Sequence, residues 1–262
     1  MQLIERKVDV VTGDSNLSEL HSLSGFPVFM GCVTHSRNED LFANQTWCIS
    51  NTSGFVQLKQ LIPLDILYQS QHDAGAVGGI WTEHHRLFSN FLSKFQPSSV
   101  LEIGGAHGIL SKEYQRFGKI PWTILEPNPS PVEGCEARFI KGFFDDKISY
   151  AEAFDTVAHS HVFEHIYEPD QFMGHLAGFM DKGKHLVFSL PNMQVMLERK
   201  YTNCINFEHT IFLTEPYVEF LLAKHCFRLL DKEYFMYDHS IFYAAVRDPS
   251  VKPSGLPQGL YE

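Results

Sequence analysis

The sequence predicts an α/β fold: a doubly wound, mainly parallel sheet closed by a C-terminal antiparallel hairpin and preceded by a small N-terminal module. Three observations carry this reading. From Ser98 onward short apolar runs alternate with helical segments. A glycine-rich turn directly follows the first of those runs. The last two runs are joined too tightly for a crossover helix. Strands alternating with helices give a parallel sheet covered on both faces, and a short connection requires an antiparallel pair.

Residues 1–79 are expected to form a substrate-binding module or lid, with strand-like runs at 28–30 and 55–58 between clusters of Gly, Ser, Asn and Asp. Residues 80–262 form the second unit. It opens with a helix over about 80–95, where Trp81, His85, Phe88, Leu92 and Phe95 fall near one face. Residues 100–103 read as a buried strand, followed by the glycine turn and a helix to about 116. Further strands are expected at 122–125, 138–140, 154–159 and 185–189, with helices at 172–180 and near 215–225. The closing strands lie at about 228–237 and 240–247.

The chain has 262 residues, 44% of them hydrophobic, enough for one full α/β core and a smaller appendage. A formal net charge of −10 without any Lys/Arg cluster argues against nucleic acid or an acidic membrane as partner. A small-molecule substrate remains. The first residues lack the apolar stretch of a signal peptide, and no run approaches the roughly 20 apolar residues that span a bilayer. Five scattered cysteines form no C-x-x-C pair, so a disulfide framework is not expected. These features together suggest a cytoplasmic protein with free thiols.

The strongest motif is Leu101-Glu102-Ile103-Gly104-Gly105-Ala106-His107-Gly108, which follows a strand and opens a helix. Gly104 permits a sharp turn, and glycines let a ligand approach the backbone. Glu126, before Pro127 at the end of the next strand, has the spacing at which an acid grips ribose hydroxyls. A nicotinamide cofactor would prefer G-x-G-x-x-G, which is not present. An acid just before the glycines suits a ligand carrying a positive amino group.

Glu102-Ile103-Gly104 through Gly108, Leu125-Glu126-Pro127 and Ser160-His161-Val162-Phe163-Glu164-His165 resemble motifs of class I S-adenosylmethionine-dependent methyltransferases, over about 98–247. More narrowly, Gly142-Phe143-Phe144, Leu190-Pro191-Asn192, Phe207-Glu208-His209 and Gly54-Phe55-Val56-Gln57-Leu58 resemble sugar C-methyltransferases that act on nucleotide-linked deoxysugars. The resemblance implies a Rossmann-like sheet and S-adenosyl-L-methionine as cofactor. It implies that Glu102, Gly104, Gly105 and Gly108 line the methionine end and that Glu126 and Pro127 border the ribose. It also implies that Phe143 and Phe144 flank the adenine, that Asp145 or Asp146 lies near its amino group, and that Ser160 borders the cofactor. Ala106 stands where such enzymes often have glycine.

Methyl transfer needs an aligned nucleophile and, for a hydroxyl or carbon acid, a base. His209, beside Glu208 in the segment after the fifth strand, is the first candidate. His161 and His165, at the carboxyl edge of the fourth strand, come second. Tyr68 and His72 come third: the resembling enzymes carry a tyrosine pair near here, and His72 and Ala74 take those places. Both O- and C-methylation therefore stay open, as does a cofactor-binding assembly partner without catalysis.

His161-Val162-Phe163-Glu164-His165 also matches H-x-x-E-H, an inverted zinc-protease signature. It directly follows a strand, with no third ligand on a later helix. The zinc module of the resembling sugar enzymes has two C-x-x-C pairs, and here the places before Gly54-Phe55-Val56-Gln57-Leu58 hold Ser50 and Ser53. Cys32, His35, Cys48 and His21 have irregular spacing. No metal is expected.

Overall fold

The computed structural model describes residues 1–29, 36–69, 78–145, 147–148, 150 and 152–260. Cys32, His35, His72, Ala74 and Asp146 lie outside them, so the expectations placed on those residues have no structural counterpart.

The N-terminal region holds a two-stranded pair, β1 (Ile4–Glu5) with β5 (Gln60–Leu61), and an antiparallel sheet of β2 (Leu17–Pro27), β3 (Phe42–Ser50) and β4 (Val56–Leu58). A single helical turn, α1 (Leu64–Leu67), follows. Of the expected strand at 28–30, Val28 and Phe29 form a bend after β2 ends at Pro27, with Val28 buried, and Met30 lies outside the described residues. Most of β2 is solvent-exposed, so it lacks the apolar alternation that marks a half-buried strand.

The remaining elements are α2 (Gly79–Ser93), β6 (Val100–Ile103), α3 (Ile109–Tyr114), β7 (Trp122–Glu126), β8 (Arg138–Lys141), β9 (Thr156–Ser160), α4 (Pro169–Phe179), β10 (His185–Pro191), α5 (Met193–Glu198), α6 (Glu215–Lys224), β11 (Phe227–Phe235) and β12 (Ser240–Arg247). The seven-stranded sheet has the order β11-β12-β10-β9-β6-β7-β8. Strands β6 to β10 run parallel, and β12 pairs antiparallel with both β10 and β11. The chain moves outward from β6 to β8, then returns to the other side of β6 with β9. That reversal opens a crevice at the carboxyl ends of β6 and β9, where doubly wound sheets bind ligands.

The central strands are buried on both faces, and β6 is buried throughout. Leu101, Ile103, Val157, Leu186 and Phe188 pack on one face with α4 and α6. Val100, Ala158 and Val187 pack on the other with α2 and α3. The period-2 alternation of strand side chains produces this division. Proline at the first turn of α4 suits a position whose N–H has no helical partner. Val10, Val11 and Phe55 join the sheet's own core. Leu58, Leu61 and Ile62 share a third cluster with Met193, Phe207 and Phe212. No described helix is long and apolar enough to cross a membrane.

Candidate functional site

The glycine turn is shaped as its residues require. Gly104 and Gly108 have φ of +68° and +69°, the left-handed region that glycine adopts without strain. A Cβ on Gly104 would sit 2.6 Å from Val162 Cγ2, and one on Gly105 2.7 Å from the Glu102 carboxyl carbon. Ala106, at φ +38°, departs from the usual glycine and is held in place by Glu126. The Ala106 N–H donates to Glu126 Oε2 at 3.1 Å, and Asn128 N–H donates to Oε1 at 2.9 Å. Ser130 N–H bonds the Ala106 carbonyl and Val132 N–H that of His107, which pins the loop after β7 over the turn.

Glu102 departs from the expectation that it meets a charged ligand at the strand end. It lies within β6, 2% exposed, under Gly105, and accepts a 2.8 Å hydrogen bond from Trp122 Nε1. Burial pushes its carboxyl up to about 7, against the indole hydrogen bond and with a smaller push from Glu126. Its side chain props the turn from beneath. Phe144 packs edge-on against Phe172 and Phe179 in the core, whereas Phe143 is exposed. Ser160 Oγ lies 2.8 Å from Ser189 Oγ, tying the ends of β9 and β10 together. Pro127 is half-buried, directly after Glu126.

Past β9, His161 adopts φ +51°, a conformation in which a non-glycine residue is strained. Glu164 and His165 follow in a single 3₁₀ turn, Phe163–His165. The segment after β10 lies against them: Thr210 N–H bonds the Glu164 carbonyl at 3.0 Å, and Thr210 Oγ1 donates to the Ile166 carbonyl. Asn206 Oδ1 accepts from the N–H groups of both Glu208 and His209, fixing their turn. The His165 and His209 rings are 5.1 Å apart. His165 Nδ1 shares a 2.9 Å hydrogen bond with Tyr68 and lies 3.9 Å from Glu208 Oε2. The Tyr68 carbonyl accepts from the Asn128 side chain at 2.6 Å. Tyr68 therefore bridges the loop beside Glu126 to the His165 cluster. Burial, then the neighbouring acids Glu208, Glu164 and Glu126 and the Tyr167 phenol, hold its own phenol above the usual range.

Tyr68, Glu164, His165, Glu208 and His209 thus come together from three parts of the chain. His161 borders this group, with Nδ1 3.2 Å from Glu164 Oε1, but makes its hydrogen bond elsewhere. Its Nε2 pairs with Ser240 Oγ at 2.8 Å, and its ring packs on Trp81 and His84 of α2. His239, whose Nδ1 also meets Ser240, completes this second histidine group. Burial, then the neighbouring histidines, keeps His161 and His84 far below the usual imidazole range, so both are neutral. The sequence reading placed His85 on a face of α2 without giving it a role, and missed His84 and His239. The one signal was a histidine at 84 on the buried face of α2, one turn before Phe88. A cavity of about 550 Å³ between Thr12, Asn51, Phe220 and residues 256–260 shares no residue with either group.

Residues 80–230 match the family model described as a methyltransferase domain. The chain belongs to this methyltransferase family. No curated protein matches the chain. Among solved structures, an O-methyltransferase family protein from Burkholderia thailandensis is similar, at 13% identity and a TM-score of 0.51 over 64% of this chain. The match spans 56% of that protein, little more than half its length. A 1,6-didemethyltoxoflavin-N1-methyltransferase from the same organism, solved with that compound and S-adenosylhomocysteine, is 16% identical, with a TM-score of 0.51. That match covers 65% of this chain and 81% of the other. At these identities the likeness concerns the fold: the sheet order and the reversal beside β6 belong to the methyltransferase domain.

Proposed function

We propose that this chain transfers a methyl group from S-adenosyl-L-methionine to a small, hydroxyl-bearing acceptor. The observation that carries this is the glycine turn held by Glu126, at the sheet's reversal, within a methyltransferase domain. Glu126 places a carboxyl group at the turn, at the end of β7, where an acid can meet ribose hydroxyls. A Cβ at Gly104 or Gly105 would meet Val162 or Glu102, so glycine at both positions lets the turn pack closely on its own supports at the carboxyl end of β6. When bound, the sulfonium supplies an electrophilic methyl group. The chain's residues must then align the acceptor and take its proton.

We assign proton removal to His209. It is half-buried, and its Nδ1 has no hydrogen-bond partner among the described residues. Burial lowers its basicity, which keeps the imidazole neutral and able to accept a proton near neutral pH; nearby Glu164 opposes that shift. Tyr68 and Glu208 orient His165 beside it. A sugar or nucleotide-linked sugar is the acceptor class we favour, on the sequence resemblance of the segments at 142–144 and 207–209.

Calorimetry with S-adenosylhomocysteine tests the cofactor assignment. The wild type should bind it. Glu126→Ala should weaken binding by about 1–3 kcal/mol, because a charged hydrogen-bond acceptor is lost and the turn is released. Binding of NAD with no binding of S-adenosylhomocysteine would sink the assignment.

A further inference from the structure

Glu164, His165 and His209 each offer a ligand atom, all within 4.8 Å of one another. The Glu164 side chain is 1% exposed, and neither carboxylate oxygen completes a hydrogen bond among the described residues. His161 Nδ1 comes within 3.2 Å of Oε1 but without hydrogen-bond alignment. A buried carboxylate left unbonded costs far more than one that meets a cation. His209 Nδ1 is buried and likewise has no partner among the described residues.

We infer that Glu164, His165 and His209 bind one divalent transition-metal ion. His165 Nε2 lies 3.8 Å from Glu164 Oε1, close to the ~3.4 Å between neighbouring ligands of a tetrahedral ion with bonds of about 2.1 Å. The opposite nitrogen, Nδ1, is the one that meets Tyr68 and faces Glu208. Metal-bound imidazoles typically have this arrangement, with the second nitrogen held by an oxygen that fixes tautomer and ring orientation. Two imidazoles and one carboxylate suit zinc, iron, cobalt or nickel better than magnesium or calcium. Three protein ligands leave coordination positions open for solvent or an acceptor oxygen. The set differs from the H-x-x-E-H reading: His161 turns to Ser240, and the third ligand arrives from the segment after β10, 44 residues beyond His165.

Binding of the ion stands independently of the methyl-transfer reading; its use rests on that reading. With an ion bound, His209 would be a ligand and the ion would supply acidification of a coordinated hydroxyl; without it, the His209 imidazole is the base.

The test is titration of chelator-treated full-length protein with Co²⁺, followed by its visible absorption bands. The wild type should saturate at one ion per chain. Glu164→Gln and His209→Asn should each weaken binding by about tenfold or more, and Tyr68→Phe by about tenfold through loss of the outer contact. His161→Asn, which removes a neighbour of Glu164 but no ligand, should still saturate at one ion per chain. X-ray absorption of the wild-type complex needs no variant and should show two imidazoles, oxygen ligands and no sulfur. Absence of saturable binding would overturn the inference, as would thiolate ligands or binding lost in His161→Asn but kept in His209→Asn. If the protein binds S-adenosylhomocysteine but no cobalt, the ion site fails and the methyl-transfer reading stands. If it binds cobalt but no S-adenosylhomocysteine, the ion site stands and the methyl-transfer reading fails.

Discussion

Glu102 carries a carboxyl group inside a strand whose three other side chains are apolar and buried. Its proton is held in the folded state up to about pH 7, mainly by burial, against an ordinary value of 4.5. The folded chain therefore binds this proton more tightly than the unfolded chain. Stability from the neutral carboxyl is complete below pH 4.5 and is lost as pH rises through 7. The charged form costs up to about 3 kcal/mol in the cofactor-free protein. Glu102→Gln keeps an acceptor for the Trp122 indole and removes the titration. Urea unfolding should show the variant gaining on the wild type by about 1–3 kcal/mol between pH 4.5 and pH 8. A difference of equal size at both pH values would mean that folding does not raise the Glu102 carboxyl above its ordinary range. His159 acts in the opposite direction. Burial lowers it to about 3, with its ring stacked on Phe188 and both nitrogens unpartnered among the described residues. A depressed imidazole loses stability as pH falls from 6.5 toward 3, so His159→Leu should reduce acid sensitivity in a melting-temperature series.

The glycine turn and the segment after β9 are mechanically one unit, because Gly104 lies against Val162. Gly104→Ala places a methyl group 2.6 Å from Val162 Cγ2 and strains a φ of +68°. We expect weakened S-adenosylhomocysteine binding and a melting temperature lowered by several degrees, for a cost of about 1–3 kcal/mol. Val162→Ala in the same chain removes the clash but not the backbone strain, so it should recover part of the loss. If it recovers none, the strain alone accounts for the effect. The same elements show what was legible beforehand. The strands at 100–103, 122–125 and 185–189 were readable because buried central strands are nearly continuous apolar runs. β2 and β3 were not, since β2 is mostly exposed and takes its register from pairing with β3. His165, Glu208 and His209 could each be named from their places after strands. Their meeting depends on the Thr210–Glu164 backbone bond, which leaves no trace in local sequence.

Arg6 extends that contact to the whole molecule. Its guanidinium is buried and donates to the carbonyls of Thr210 at 2.8 Å, Leu58 at 3.5 Å and Ile166 at 3.4 Å, and also to that of Tyr167. These carbonyls belong to β4 and to the two segments that carry His165 and His209. Burial lowers the guanidinium to about 10, with Glu168 and Tyr167 opposing, so it stays charged at neutral pH. Gln57, which bridges Ile211, and Tyr217, whose hydroxyl donates to the Ser53 carbonyl at 2.8 Å, add further ties. With Val10, Val11 and Phe55 in the sheet's core, the N-terminal region should not unfold separately. Hydrogen exchange of the wild type should give amides of β3 and β6 the same opening free energy. Arg6→Met fills similar volume but removes the donors that tie these segments together, at a cost of about 1–3 kcal/mol, although the Thr210 and Ile166 carbonyls keep the Leu58 N–H and Thr210 Oγ1. In that variant β3 should exchange before β6, and Co²⁺ binding should weaken although no ligand has changed. If β3 already opens well before β6 in the wild type, the N-terminal region is an independent lid, and the site is braced by the methyltransferase domain alone.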